Sequence, residues 1–126
     1  MKILIYGDNQ SSIESTKLFL STSETIVTTY SIEQIEWIIC NNRPDIIILD
    51  LSPRANNGLE YCPRIRRLTS IPIIVISVIS EPQKIAALLN SGADDYIEKP
   101  TSMEMLTARI NKLMRRSTIY SPPVTV

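Results

Sequence analysis

Pro44-Asp45-Ile46-Ile47-Ile48-Leu49-Asp50-Leu51 is the stretch that decides the fold. Its unbroken aliphatic run is what a parallel strand covered on both faces looks like, and it ends in a carboxylate. The same signature recurs at Ile3-Leu4-Ile5-Tyr6 and at Ile73-Ile74-Val75-Ile76. Ile26-Val27-Thr28-Thr29-Tyr30 is β-branched but more polar, as expected of an edge strand, and Tyr96-Ile97 is a short fifth run.

Helical patterns lie between these runs. Ser11-x-x-Glu14, Ser31-x-x-Gln34 and Thr101-x-x-Glu104 have the spacing of capping boxes. The first leads a face of Ile13, Lys17 and Leu20, the second Ile35, Ile38 and Ile39, the third Leu106, Ile110 and Leu113. Leu59, Cys62, Ile65 and Leu68 form another stripe, and Pro63 within it predicts a helix that starts late or is distorted. Ile85, Leu88 and Leu89 form one more, stopped by Gly92 as a C-cap. Arg115 and Arg116 suit the C-terminal end of the last helix dipole. Strands alternating with helices of this length predict a parallel sheet with helices on both faces. The domain is expected over residues 1–116. Residues 117–126, with Pro122-Pro123, read as a tail or linker.

The bulk properties narrow the function. The chain has 126 residues, which suits one domain, with 44% hydrophobic and 21% charged residues. Lys+Arg and Asp+Glu both number 13, so there is no electrostatic footprint for nucleic acid or an anionic membrane. Histidine is absent, which removes Ser-His-Asp chemistry and the usual zinc sites. Cys40 and Cys62 lack metal-like spacing and read as half-buried apolar thiols of a reducing compartment. No run approaches the ~18 apolar residues of a membrane span, so a soluble cytoplasmic protein is expected. The basic run Arg64, Arg66, Arg67 reads as a solvated helix face, and Trp37 as a packing residue.

In folds of this class, ligands bind outside the carboxyl ends of the strands, where strand order reverses. The strand ends here carry Asp8, Asp50, Ser77 and Lys99. Two carboxylates on adjacent strand ends make a hard oxygen site suited to Mg²⁺. Beside them Asp50 can act as a nucleophile toward a phosphoryl group, with Ser77 and Lys99 binding its oxygens.

Residues 2–8 (KILIYGD), 44–51 (PDIIILDL), Gly58, 71–77 (IPIIVIS) and 92–100 (GADDYIEKP) resemble, in order and spacing, the receiver domains of two-component response regulators. The resemblance covers roughly residues 2–116. It implies a doubly wound (βα)5 flavodoxin/CheY-like fold with five parallel strands in order 2-1-3-4-5. It implies that Asp50 accepts phosphate from a sensor histidine kinase, so the domain assists its own phosphotransfer and is not a turnover enzyme. Mg²⁺ would be held by Asp8, Asp50 and the backbone carbonyl of Ser52. Ser77 would be the switch hydroxyl, Tyr96 the switch aromatic, and Lys99 the phosphate-binding lysine, held by a cis bond to Pro100.

The chain also departs from the family. Gly7 stands where the first of an acidic pair is usual, which implies weaker Mg²⁺ binding. Val78 follows Ser77 where a small residue is preferred, and narrows access to Asp50. Arg54 replaces the usual proline of its loop and is placed to compete as a cation. The C-terminal third is similar to receivers of the OmpR/PhoB class, which carry a winged-helix DNA-binding domain and dimerise through helix four, strand five and helix five. Asp94 and Asp95 with Arg116 and Arg109 match two of that class's intersubunit ion pairs. Ile85 and Met105 replace the third.

Two functions follow from these residues. One is a phosphorylated receiver that switches a dimerisation face to control transcription without touching DNA itself. The other is an atypical receiver that works as a phosphorylation-independent dimerisation or interaction module. A flavodoxin-like binding protein or enzyme would need a Gly-rich loop after the first strand, and residues 7–12 hold one glycine.

Overall fold

The computed structural model describes residues 1–8, 10–20, 25–52 and 58–119. Arg54 and residues 120–126 lie outside this set, as does the side chain of Leu20. The elements run β1 (Lys2–Gly7), α1 (Gln10–Leu20), β2 (Thr25–Thr29), α2 (Ile32–Asn42), β3 (Ile46–Asp50), α3 (Gly58–Arg66), β4 (Ile73–Ser77), α4 (Pro82–Ser91), β5 (Asp95–Glu98) and α5 (Met103–Ile119). All strand pairs are parallel, and the sheet order is β2-β1-β3-β4-β5, as expected.

The continuous apolar runs arise because successive strand side chains enter opposite layers. Leu4, Tyr6, Ile47, Leu49, Ile73 and Val75 face α2, α3 and α4. Ile3, Ile5, Ile46, Ile48, Ile74 and Ile76 face α1 and α5, against Ile13, Leu106, Ile110 and Leu113. Both layers are apolar along β1, β3 and β4, whose polar residues come at the strand ends.

Several local expectations are corrected. Ser11 lies inside α1, which begins at Gln10, so it is not the N-cap. Thr16 rather than Lys17 accompanies Ile13 on the buried side of α1. Ser31 does cap α2, accepting from the Gln34 N–H at 3.3 Å, but the Gln34 side chain pairs with Thr29 instead of returning to the cap. Ser102, not Thr101, caps α5, accepting from the Met105 N–H at 3.1 Å. Helix α3 runs through Pro63 from Gly58 and does not start late. Its buried side is Gly58, Cys62 and Ile65, while Leu59 and Leu68 are exposed. A Cβ at Gly58 would press on the side-chain ends of Leu88 and Leu51, which would have to shift, so glycine suits the close approach of α3 and α4. Gly92 ends α4 with φ +131°, a conformation open to glycine and costly to other residues. Trp37 is 61% exposed, because Ile35, Ile38 and Ile39 take the inward side of α2. Cys62 is buried and Cys40 exposed, so the two thiols are not alike. Helix α5 continues to Ile119.

Candidate functional site

Parallel register brings the polar strand ends to one edge. Gly7 pairs with Asp50 across β1 and β3, Asp50 with Ile76 across β3 and β4, and Ser77 with Glu98 across β4 and β5. The order of the chain reverses between β1 and β3, so Asp50 stands at the switch point where such sheets bind ligands.

Asp50 is 1% exposed. An ionised carboxylate so placed needs partners, and it has two. Lys99 Nζ forms an ion pair with Oδ1, and the Thr16 hydroxyl donates to Oδ2 at 2.8 Å. Oδ1 receives charge but no well-directed hydrogen bond: it is a buried oxygen without a hydrogen-bond donor. The Lys99-Pro100 peptide is cis.

Asp8 closes the other side. Its Oδ2 accepts from the Ser52 N–H, and its Oδ1 from the Tyr6 hydroxyl at 3.3 Å. Asp8 therefore ties the end of β1 to the segment after β3. Tyr6 meets Tyr61 edge to face with centroids 5.4 Å apart. Burial first, then the Tyr61 and Asp8 neighbours, push the Tyr6 phenol well above its ordinary range. The donor set of Asp8, Asp50 and the Ser52 carbonyl is hard oxygen throughout, and an oxygen lacking a hydrogen bond is available at Asp50, so the residues fit Mg²⁺. Gly7 contributes no side chain to it.

Ser77 is fully buried, its hydroxyl accepting from the Ile79 N–H at 3.4 Å. Tyr96 is turned inward: its hydroxyl lies 3.0 Å from the Ser77 carbonyl and 2.5 Å from that of Ile79. Burial raises the Tyr96 pKa. A cleft of about 460 Å³ opens onto Asp50 between α1 and α5, lined by Ser11, Ser15, Thr16, Val78 and Lys99 among others. Val78 stands 45% exposed on its wall.

The residues expected at a dimer face are placed differently from one another. Asp95 holds Arg109 of its own chain through both carboxylate oxygens at 3.0 Å. Asp94 pairs with Arg66, and Arg116 is exposed. The basic run is therefore not uniformly a solvated face. Arg64 pairs with Glu36 at 2.5 Å, and Arg66 donates to the carbonyls of Gly92 (3.0 Å), Thr69 (3.1 Å) and Ile71 (2.7 Å). Thr16 and Arg66 escaped the sequence reading. The available signal for Thr16 was its place three residues after Ile13, on the inward side of α1.

The sequence profile of the response regulator receiver domain matches residues 3–111. The chain is a response regulator receiver domain. Receiver domains generally partner with sensor histidine kinases, bind Mg²⁺ at their acidic site and are not turnover enzymes. This receiver is 34% identical over 124 residues to Response regulator MprA of Mycobacterium sp. (strain KMS), across 93% of its own length and 52% of the relative's. It thus spans about half the length of that curated relative. A crystal structure of a two-component response regulator from Clostridium difficile superposes with a TM-score of 0.82 at 34% identity, covering 92% of this receiver and 97% of that chain. An atypical orphan response regulator, described as having a phosphorylation-independent regulatory mechanism, superposes with a TM-score of 0.75 at 27% identity, covering 91% and 96%. Among the described residues, no helix is long and apolar enough to cross a membrane.

Proposed function

We propose that this receiver is phosphorylated on Asp50 by a sensor histidine kinase and that the phosphoryl group switches the α4–β5–α5 face. The observation that carries the reading is the buried Asp50 carboxylate at the switch point, with Lys99 on Oδ1 and no hydrogen bond to that oxygen. Oδ1 attacks the phosphorus of a phosphohistidine, the P–N bond breaks, and its electron pair stays on the imidazole nitrogen, which takes a proton from solvent. Lys99, already against Oδ1, then neutralises the phosphoryl oxygens. Asp8, Asp50 and the Ser52 carbonyl would hold Mg²⁺, which supplies further charge neutralisation when bound. We propose that this binding is weak. Gly7 adds no carboxylate, and no three His, Cys, Asp or Glu residues cluster as a metal site among the described residues.

The switch reading assigns Ser77 a move toward the phosphoryl group and Tyr96 an accompanying rearrangement. Tyr96 now bonds the carbonyls of Ser77 and Ile79, so displacement of the β4–α4 segment releases its hydroxyl. Asp95 and Arg109, paired within the chain, would exchange partners across a homodimer, with Asp94 and Arg116 forming the second pair. The resemblance of the C-terminal third to the OmpR/PhoB class supports a winged-helix domain beyond the receiver, leaving DNA contact to that domain. The free thiols of Cys40 and Cys62 accord with a cytoplasmic location.

A second reading, a receiver that acts by binding alone, draws on the engagement of both Asp50 oxygens by Lys99 and Thr16, and on Val78 at the cleft. Trifluoroberyllate, which mimics a phosphoryl group on a carboxylate, separates the two. With Mg²⁺ present, sedimentation velocity is expected to show a shift from monomer toward dimer that Asp50→Asn abolishes. An unchanged distribution, with or without the anion, would favour the second reading.

A further inference from the structure

Thr16 is 6% exposed on α1, and its hydroxyl meets Asp50 Oδ2 at 2.8 Å. A buried threonine in a helix commonly returns its hydroxyl to the carbonyl one turn earlier. Here it reaches 34 positions along the sequence to the Asp50 carboxylate at the switch point. Lys99 is on the other oxygen, so the two oxygens of Asp50 are chemically distinct: Oδ1 faces the cation, and Oδ2 is held by a neutral donor. If Oδ1 carries the phosphoryl group, Oδ2 becomes the uncharged carbonyl oxygen of an acyl phosphate and remains beside Thr16.

We propose that the Thr16 hydroxyl is a positioning residue that shortens the lifetime of the phosphoryl group on Asp50. The inference rests on the reading of Asp50 as phosphoacceptor. A hydrogen bond to an ionised acceptor is roughly twice as strong as one to a neutral acceptor. Thr16 therefore stabilises the free carboxylate more than the acyl phosphate. In hydrolysis, a water oxygen attacks phosphorus and the P–Oδ1 bond breaks. The electron pair returns to the carboxylate, where Oδ1 and Oδ2 share it, and the water protons leave with inorganic phosphate. Charge grows on Oδ2 as the bond breaks, and the Thr16 bond strengthens with it. The hydroxyl lowers the barrier to phosphoryl loss and makes this receiver a faster-resetting switch.

The test follows decay of phosphorylated protein by intact-mass spectrometry after acetyl phosphate is removed, with Mg²⁺ held constant. Thr16→Val and Thr16→Ala are expected to lengthen the half-life about three- to tenfold, and Thr16→Ser to restore it. Thermal melts run in parallel identify folded variants. The sign separates this role from a purely structural one, since a loosened site would admit water and shorten the half-life. Equal or shorter half-lives in the folded hydroxyl-free variants, with wild type phosphorylated, overturn the proposal alone. No phosphoryl adduct on wild type or any variant overturns the phosphoacceptor reading and this proposal with it. An adduct on Thr16→Val but not on wild type supports the proposal.

Discussion

Lys99→Met is expected to lower the unfolding free energy by about 2–3 kcal/mol, while Asp50→Asn changes it by roughly 1 kcal/mol or less. The asymmetry comes from burial. Asp50 is 1% exposed and its Oδ1 has no hydrogen-bond donor, so removing Lys99 strands a desolvated charge. Lys99 retains 26% exposure, so removing the carboxylate returns the ammonium to water. The same exposure keeps the expected loss below the 3–5 kcal/mol or so typical of a fully buried pair. Urea denaturation at neutral pH measures both variants and the double variant. In the double variant most of the Lys99→Met loss should be recovered, because no charge remains to be stranded. Equal losses for the two single variants, adding in the double, would show that the pair carries no coupling.

Arg66→Ala is expected to destabilise the receiver by about 3 kcal/mol, against under about 0.5 kcal/mol for its exposed neighbour Arg67→Ala. Arg66 spans three segments at once. It donates to the carbonyls of Thr69 and Ile71 after α3, to Gly92 after α4, and to the Asp94 carboxylate. Asp94 in turn accepts from the Ile73 N–H at 2.8 Å, so the network fixes the start of β4. Removal leaves carbonyl groups without donors and a carboxylate without its cation, losses of about 1 kcal/mol each where water cannot fully replace them. Arg66→Lys should not rescue, since an ammonium lacks the planar five-donor fork. Chemical denaturation of the three variants checks this. A loss in Arg67→Ala matching that in Arg66→Ala would mean that the run acts as a diffuse charge and not through one residue.

These expectations mark where the sequence was legible and where it was not. The strands could be read because burial on both faces leaves an aliphatic run with no helical equivalent of that form, as in residues 46–49. The first polar residue after such a run must sit at the sheet edge, which is how Asp8, Asp50, Ser77 and Lys99 could be grouped. Residues whose role depends on one side chain's direction could not be read. Arg66 and Arg67 are adjacent and identical in type, yet Arg66, the last residue of α3, crosses to Gly92 while Arg67, in the turn that follows, meets solvent. Thr16 and Lys17 differ in the same way on α1. Trp37 was expected to pack because of its size, but the aliphatic side of α2 already filled the interface. Caps shifted by one residue, as Ser102 for Thr101, because either hydroxyl satisfies the same spacing rule.

The claim on which the rest depends is that Asp50 accepts a phosphoryl group. Intact-mass spectrometry after incubation with acetyl phosphate and Mg²⁺ tests it directly. The account predicts one added phosphoryl group on the wild-type receiver and none on Asp50→Asn. No adduct on the wild type at saturating Mg²⁺, or an equal adduct on Asp50→Asn, would contradict it.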